Sequence, residues 1–225
     1  MSLATKTSTL ILICIFCLSS FSQSLEEANE QEGDNSIKDH WSFQSRLLAI
    51  GGGITEAMPT GDKFVGQALD GETGFNFNVQ LYVYKQFFIN AALGQNYFST
   101  NQPMLIGNYQ RTTVNYEYIS IGYEFIPLKK LRLGVSMSLI GDVSYKNRYN
   151  SREVYQVDTG NINLYQLYID YEAFPFMALY ASYSYRNDKM NIKTAEEIGS
   201  FFERAQFHNL GAGIKFYIGS NSLIQ

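Results

Sequence analysis

Ester hydrolysis near neutral pH needs a serine hydroxyl, an imidazole to take its proton and a carboxylate to orient that imidazole. The chain carries two histidines, and His208 is the one that falls inside a regular pattern of side chains. Ser182, Ser184 and Glu203 could stand near it if the segments that carry them are neighbours, and would supply the remaining roles. His208, however, has the parity of an apolar stripe, so residue order alone does not assemble a catalytic set. Asp170 and Glu172 share one face and are read as members of a structural charge network rather than as a pair of glycosidase acids. Two histidines are too few for a histidine-rich metal site, and His40 has no evident relation to His208. No calcium-loop spacing occurs. Gly51-Gly52-Gly53 lacks the Lys-Ser/Thr ending and the following helix of a phosphate-binding loop. The pattern asks for no metal and no cofactor.

What must position these residues is a series of strand-length segments. From about Trp41 to Ile218 apolar and polar residues alternate with period two. Phe75, Phe77, Val79, Leu81 and Val83 share one face of a second strand, opposed by Asn76, Asn78, Gln80 and Tyr82. Leu131, Leu133, Val135, Met137 and Leu139 alternate in a fifth strand with Arg132, Gly134, Ser136 and Ser138. Leu210, Ala212, Ile214, Phe216 and Ile218 do the same in an eighth, against Gly211, Gly213, Lys215 and Tyr217. The others are read as about 87–98, 113–125, 162–173 and a seventh that begins after Phe174-Pro175-Phe176. A first strand at about Trp41–Ile50 is expected to end at Gly51-Gly52-Gly53. Glu117 breaks the alternation of the fourth strand, which leaves two placements open: above the apolar zone or beside a bulge.

The connections alternate as well. Those after strands one, three, five and seven are expected to be about 20, 14, 17 and 18 residues long, and the other three only a few residues each. The fold class expected is therefore all-β: a transmembrane, eight-stranded, antiparallel up-and-down barrel. Large apolar side chains would fill a narrow eight-stranded interior poorly, so the apolar stripe is expected to face lipid and the sparse polar stripe the lumen. On that phase Arg46, Glu124, Arg132, Asp170, Glu172 and Lys215 all point inward near the periplasmic end. They are expected to form a paired structural network, with Tyr82 and Tyr168 as hydrogen-bond partners. Aromatic girdles are expected from Phe87, Phe88, Phe125, Phe174 and Phe176 on the periplasmic side. Tyr97, Phe98, Tyr183, Tyr185 and Phe207 are the external counterpart.

Residues 1–22 read as a secretory signal: Lys6, then the apolar run Leu10–Leu18, then Ser20-Phe21-Ser22 before a cleavage at Gln23. Cys14 and Cys17 lie within it, so the mature chain would lack disulfides, a thiolate nucleophile and cysteine metal ligands. Without Lys6 the balance is 16 basic against 21 acidic side chains, a formal charge of −5. With no basic cluster to offset it, that charge excludes nucleic acid as a natural partner. Residues 23–40 are polar and acidic and read as a flexible periplasmic segment, 41–218 as the barrel and 219–225 as a short tail, both termini periplasmic.

This texture resembles the small outer-membrane barrels of Gram-negative bacteria, the OmpX/OmpA-transmembrane-like group with its Bacteroidota-type relatives, over roughly residues 41–218. The resemblance rests on topology rather than on a discriminating motif. It implies an outer-membrane location and a structural or surface-interaction role. The partners it implies are outer-membrane lipid and lipopolysaccharide, the barrel-insertion machinery during assembly, and an envelope or extracellular protein. Surface contact is expected from the segments Asn147–Asn161 and Asn187–Ser200. Two alternatives remain open: a lipid A acylhydrolase or acyltransferase built on His208, Ser182, Ser184 and Glu203, and a narrow passive channel.

Overall fold

Period-two alternation gives each segment two unlike faces, and eight such ribbons can satisfy every backbone edge only by closing on themselves. The computed structural model, which describes residues 46–149, 155–219 and 222–224, shows that closure. The strands are β1 (Leu48–Thr60), β2 (Leu69–Tyr84), β3 (Phe87–Thr100), β4 (Tyr109–Leu128), β5 (Leu131–Tyr149), β6 (Tyr155–Phe174), β7 (Met177–Met190) and β8 (Arg204–Ile218). Each is antiparallel to its neighbours in chain order, and β8 pairs with β1 to complete an up-and-down barrel. The expected signal (1–22), the lead-in (23–40) and residues 41–45 lie outside the described residues.

One end of the barrel carries tight turns at Lys85-Gln86, Lys129-Lys130 and Pro175-Phe176. The other carries the longer connections, with short helices α1 (Phe64–Ala68), α2 (Pro103–Ile106) and α3 (Glu196–Phe202). At the tight-turn end β1 begins too late to cover the last residues of β2. The C-terminal tail fills the gap: the Leu223 and Ile224 amides donate to the Tyr82 and Val83 carbonyls at 3.1 and 2.9 Å. Lys85, left-handed at φ 49°, donates its own amide to Ser222 Oγ at 3.2 Å.

Several sequence expectations are corrected here. β1 does not stop at the glycines; Gly51, Gly52 and Gly53 lie in its middle, paired on both sides. A Cβ on Gly53 would come within 2.5 Å of the Tyr180 hydroxyl and 2.2 Å of the Ala212 carbonyl. Glycine there admits the Tyr180 ring to the interior. The long connections are shorter than expected because the strands run on past the apolar zone. Asn147–Tyr149 ends β5 and Tyr155–Asn161 begins β6, its neighbour, so the first expected contact segment is largely sheet; of the second, Asn187–Met190 belongs to β7 and 196–200 to α3. Phe88, Phe98 and Phe207 point inward and are buried, so they belong to no exterior girdle.

Candidate functional site

Charged side chains in a lumen too narrow for bulk water must find partners within the lumen. Near the tight turns six of them do so. Arg132 Nη1 lies 3.1 Å from Glu124 Oε2, and Arg132 Nε lies 2.6 Å from Glu172 Oε1. Arg46 reaches Glu172 at 3.6 Å, and Lys215 Nζ meets Asp170 Oδ2 at 2.5 Å. Tyr82 and Tyr168 donate to Glu124 Oε1 at 2.8 and 2.6 Å, and Tyr217 donates to Asp170 Oδ2 at 2.8 Å. Arg132 sits over the Tyr217 ring and Lys215 over the Tyr168 ring. Three cations thus face three carboxylates, contributed by β4, β5, β6, β8 and, through Arg46, the residues just before β1. Gly134 makes room for this layer: a Cβ there would fall 2.0 Å from Cζ of Tyr168.

Directly above lies a cavity of about 20 Å³, lined by Asn78, Gln80, Asn90, Ser136, Gln166 and Lys215 among others. That is room for about one water molecule. Higher still is a second ionic cluster. Arg186 grips Asp188 with Nε and Nη2, at 2.8 and 2.5 Å, while Tyr145 donates to Asp188 at 2.6 Å. The guanidinium is held between the rings of Tyr116 and Phe207. The sequence expectation puts Asp188 in the surface segment Asn187–Ser200, apart from Arg186. The available signal was their shared parity, two residues apart on β7.

The mouth above this cluster is closed by hydrocarbon. Phe64 and Val65 of α1 pack against Phe98, Val114, Val143, Tyr145 and Phe207. A single five-residue helix without a side-chain cap is held in place by that burial rather than by its own propensity.

The outer face is organised in layers. From the tight turns upward every strand presents apolar side chains outward, and each then changes to polar at a definite position. The first polar residues are Glu56, Thr73, Gln95, Glu117, Asp142, Asn163, Asn187 and His208. On β5 the apolar stretch runs from Leu131 to Ile140, about 33 Å along a strand and about 25 Å along the axis of a barrel tilted by ~40°. Leu139 and Ile140 both point outward across a bulge opposite Ile119 and Ser120. Glu117 is therefore above the apolar band and also close to a bulge, paired in register with Asp142.

The four candidate catalytic residues are not brought together. His208 is on the exterior, its Nδ1 2.7 Å from the Tyr183 hydroxyl and its ring stacked on that of Tyr183. Ser182 and Ser184 project to the lumen side of the neighbouring strand, where Ser184 accepts a hydrogen bond from Asn209 at 3.1 Å. Glu203 is exposed beside Arg204, at 3.9 Å. Among the described residues no group of three His, Cys, Asp or Glu side chains has metal-binding geometry.

No family model matches the chain, and no curated protein matches it in sequence. Solved structures do. Neisserial surface protein A superposes with a TM-score of 0.59 at 10% identity, covering 76% of this chain and 97% of its own. The outer membrane protein OprG from Pseudomonas aeruginosa gives 0.57 at 11% identity, covering 80% and 99%. At these identities the likeness is one of fold, and the chain has the fold of the small eight-stranded outer-membrane barrels.

Proposed function

We propose that the chain is an integral outer-membrane barrel with a sealed lumen, a non-enzymatic scaffold that holds its external strand ends and loops for contact at the cell surface. The observation that carries this reading is the continuous apolar band on all eight strands, bounded by a polar residue on each. In water such a band would drive aggregation; around hydrocarbon it matches the ~25 Å height of a barrel's lipid-facing belt. The fold likeness to outer-membrane proteins supports the same location; in this reading the termini and tight turns would lie on the periplasmic side. Its partners would be the lipid and lipopolysaccharide of that membrane, the machinery that inserts barrels, and an envelope or extracellular protein.

The channel reading loses support at two levels, the ionic layer around Arg132 and the apolar plug of α1. The acylhydrolase reading loses support because His208 and the two serines face opposite sides of the wall. The test is reconstitution of the refolded full chain into liposomes. Insertion with a heat-modifiable band, no ion conductance and no change in lipid A acylation is the expected outcome. A chain that stays soluble and monomeric without detergent would overturn the reading.

A further inference from the structure

Lys189 of β7 and Arg204 of β8 are register partners, both outward and exposed. Like charges directly opposite in an antiparallel ladder repel. Lys189 has no ion pair among the described residues, and the carboxylate near Arg204 is that of the adjoining Glu203, at 3.9 Å. A second pair of opposed cations at this end, Arg111 and Arg148, is partly neutralised, since Glu72 lies 2.6 Å from Arg111. A chain of net charge −4 therefore carries, at one seam of its outer wall, two opposed cations against one carboxylate, Glu203, which is held only at 3.9 Å.

Below these cations the same seam carries a shelf of rings. Gln206 Nε2 donates to the Tyr185 hydroxyl at 3.0 Å, and the His208 ring lies 5.9 Å from that of Tyr183 and 5.6 Å from that of Tyr185. The shelf sits where the outer face turns from apolar to polar. Below it Ala181 of β7 faces Ala212 of β8, and Gly52 of β1 is diagonal to Ala212. Elsewhere the band is mostly Leu, Ile, Phe and Tyr, so these small residues leave a short furrow, one rung long, between the Tyr183–Leu210 rung above and the Leu179–Ile214 rung below. From the top, then, the order is cation pair, polar aromatic shelf and alkyl furrow.

We propose that the β7–β8 seam binds a phosphorylated glycolipid of the outer leaflet, its phosphate on Lys189 and Arg204, its sugar on the Tyr183–Tyr185–His208 shelf and an acyl chain along Ala181 and Ala212. This rests on the membrane reading above. Charge complementarity selects the occupant: two cations held on a rigid ladder match the double charge and several acceptor oxygens of one phosphate.

The test uses the refolded full chain in detergent micelles, titrated with bisphosphorylated lipid A and with its dephosphorylated form, and read by native mass spectrometry. K189Q/R204Q is expected to weaken binding of the phosphorylated lipid about tenfold or more and to leave the dephosphorylated form unchanged. K146Q/R148Q, on β5, is expected to stay within about twofold of the parent chain. A212F, which fills the furrow, is expected to weaken both lipids. Parent-like affinity in K189Q/R204Q, equal affinity for the two lipids, equal loss in K146Q/R148Q, or displacement by millimolar inorganic phosphate would each overturn the site. Liposome insertion of the same proteins separates the two ideas. If the parent chain does not insert, the membrane reading fails as well; if all insert and lipid affinity ignores the seam, only the site fails.

Discussion

Arg132 Nη1 lies 3.1 Å from Glu124 Oε2 inside the barrel, the arginine 3% exposed and the glutamate not at all. The two residues sit on adjacent strands on either side of a tight turn, and the same guanidinium holds Glu172 from the next strand. Removing one member of such a set costs more than the set contributes, because the remaining charges stay buried without a partner. R132L is expected to lose about 3–5 kcal/mol of unfolding free energy in urea titrations of the lipid-inserted barrel. R132L/E124Q should recover part of that loss, since Glu172 retains Arg46. A double variant no more stable than R132L would mean that packing, not charge, sets the cost.

Gly134 lies under the Tyr168 ring, with 2.0 Å between its missing Cβ and Tyr168 Cζ. G134V overfills a layer that is already closed by hydrogen bonds, so a loss of at least about 1–3 kcal/mol is expected. The readout is the fraction of refolded protein that resists unfolding in dodecyl sulfate without heating. G134V/Y168A should refold better than G134V. If G134V refolds like the parent chain, the ring does not occupy that space.

Alternation made most of the barrel legible before any coordinates, because each ribbon separates two unlike media over its middle section. It failed where that contrast vanishes. Gly51, Gly52 and Gly53 have no side chains to alternate, so β1 was cut short. Above the apolar band both faces are polar: Asn115, Ser144 and Thr159 point out while Thr112, Asn147 and Asp158 point in. The strand ends there look like loop. The ionic layer was legible as a set of inward residues, although periodicity carries no information about which charge meets which. The α1 plug leaves no periodic trace, since two apolar residues in a connection are ordinary in any sequence. The small residues of the β7–β8 furrow were visible one by one, yet only the register puts Ala181 opposite Ala212.

Ser136 lines the small cavity between the ionic layer below and the Arg186–Asp188 cluster and α1 plug above. A sealed lumen should therefore protect a thiol at this position from both sides. S136C, with Cys14 and Cys17 replaced by serine, is expected to react with a membrane-impermeant methanethiosulfonate much more slowly than a cysteine at exposed Met104, whose side chain is almost fully solvent-accessible. Replacing Phe64 and Val65 by serine removes the apolar plug and should speed labelling from the α1 end of the barrel. It should not produce ion conductance, because the layer around Arg132 remains shut. Fast labelling of S136C in the parent chain would show an open lumen.

The tail beyond β8 completes the wall rather than hanging from it. Leu223 and Ile224 bond to the end of β2 and Ser222 to the following turn, where β1 has not yet begun. A barrel seam left with unpaired donors and acceptors frays from that point, and each hydrogen bond contributes about 0.5–1.5 kcal/mol. Truncation after Gly219 is expected to leave insertion intact, to lower the thermal midpoint in micelles, and to raise amide exchange at Tyr84 and Lys85 above that at Asn90 and Ala92 in the middle of β3. S222A separates the side-chain contact from the backbone pairing and should affect Lys85 more than Val83. Unchanged exchange at the β2–β3 turn after truncation would mean that the tail does not hold this edge in solution.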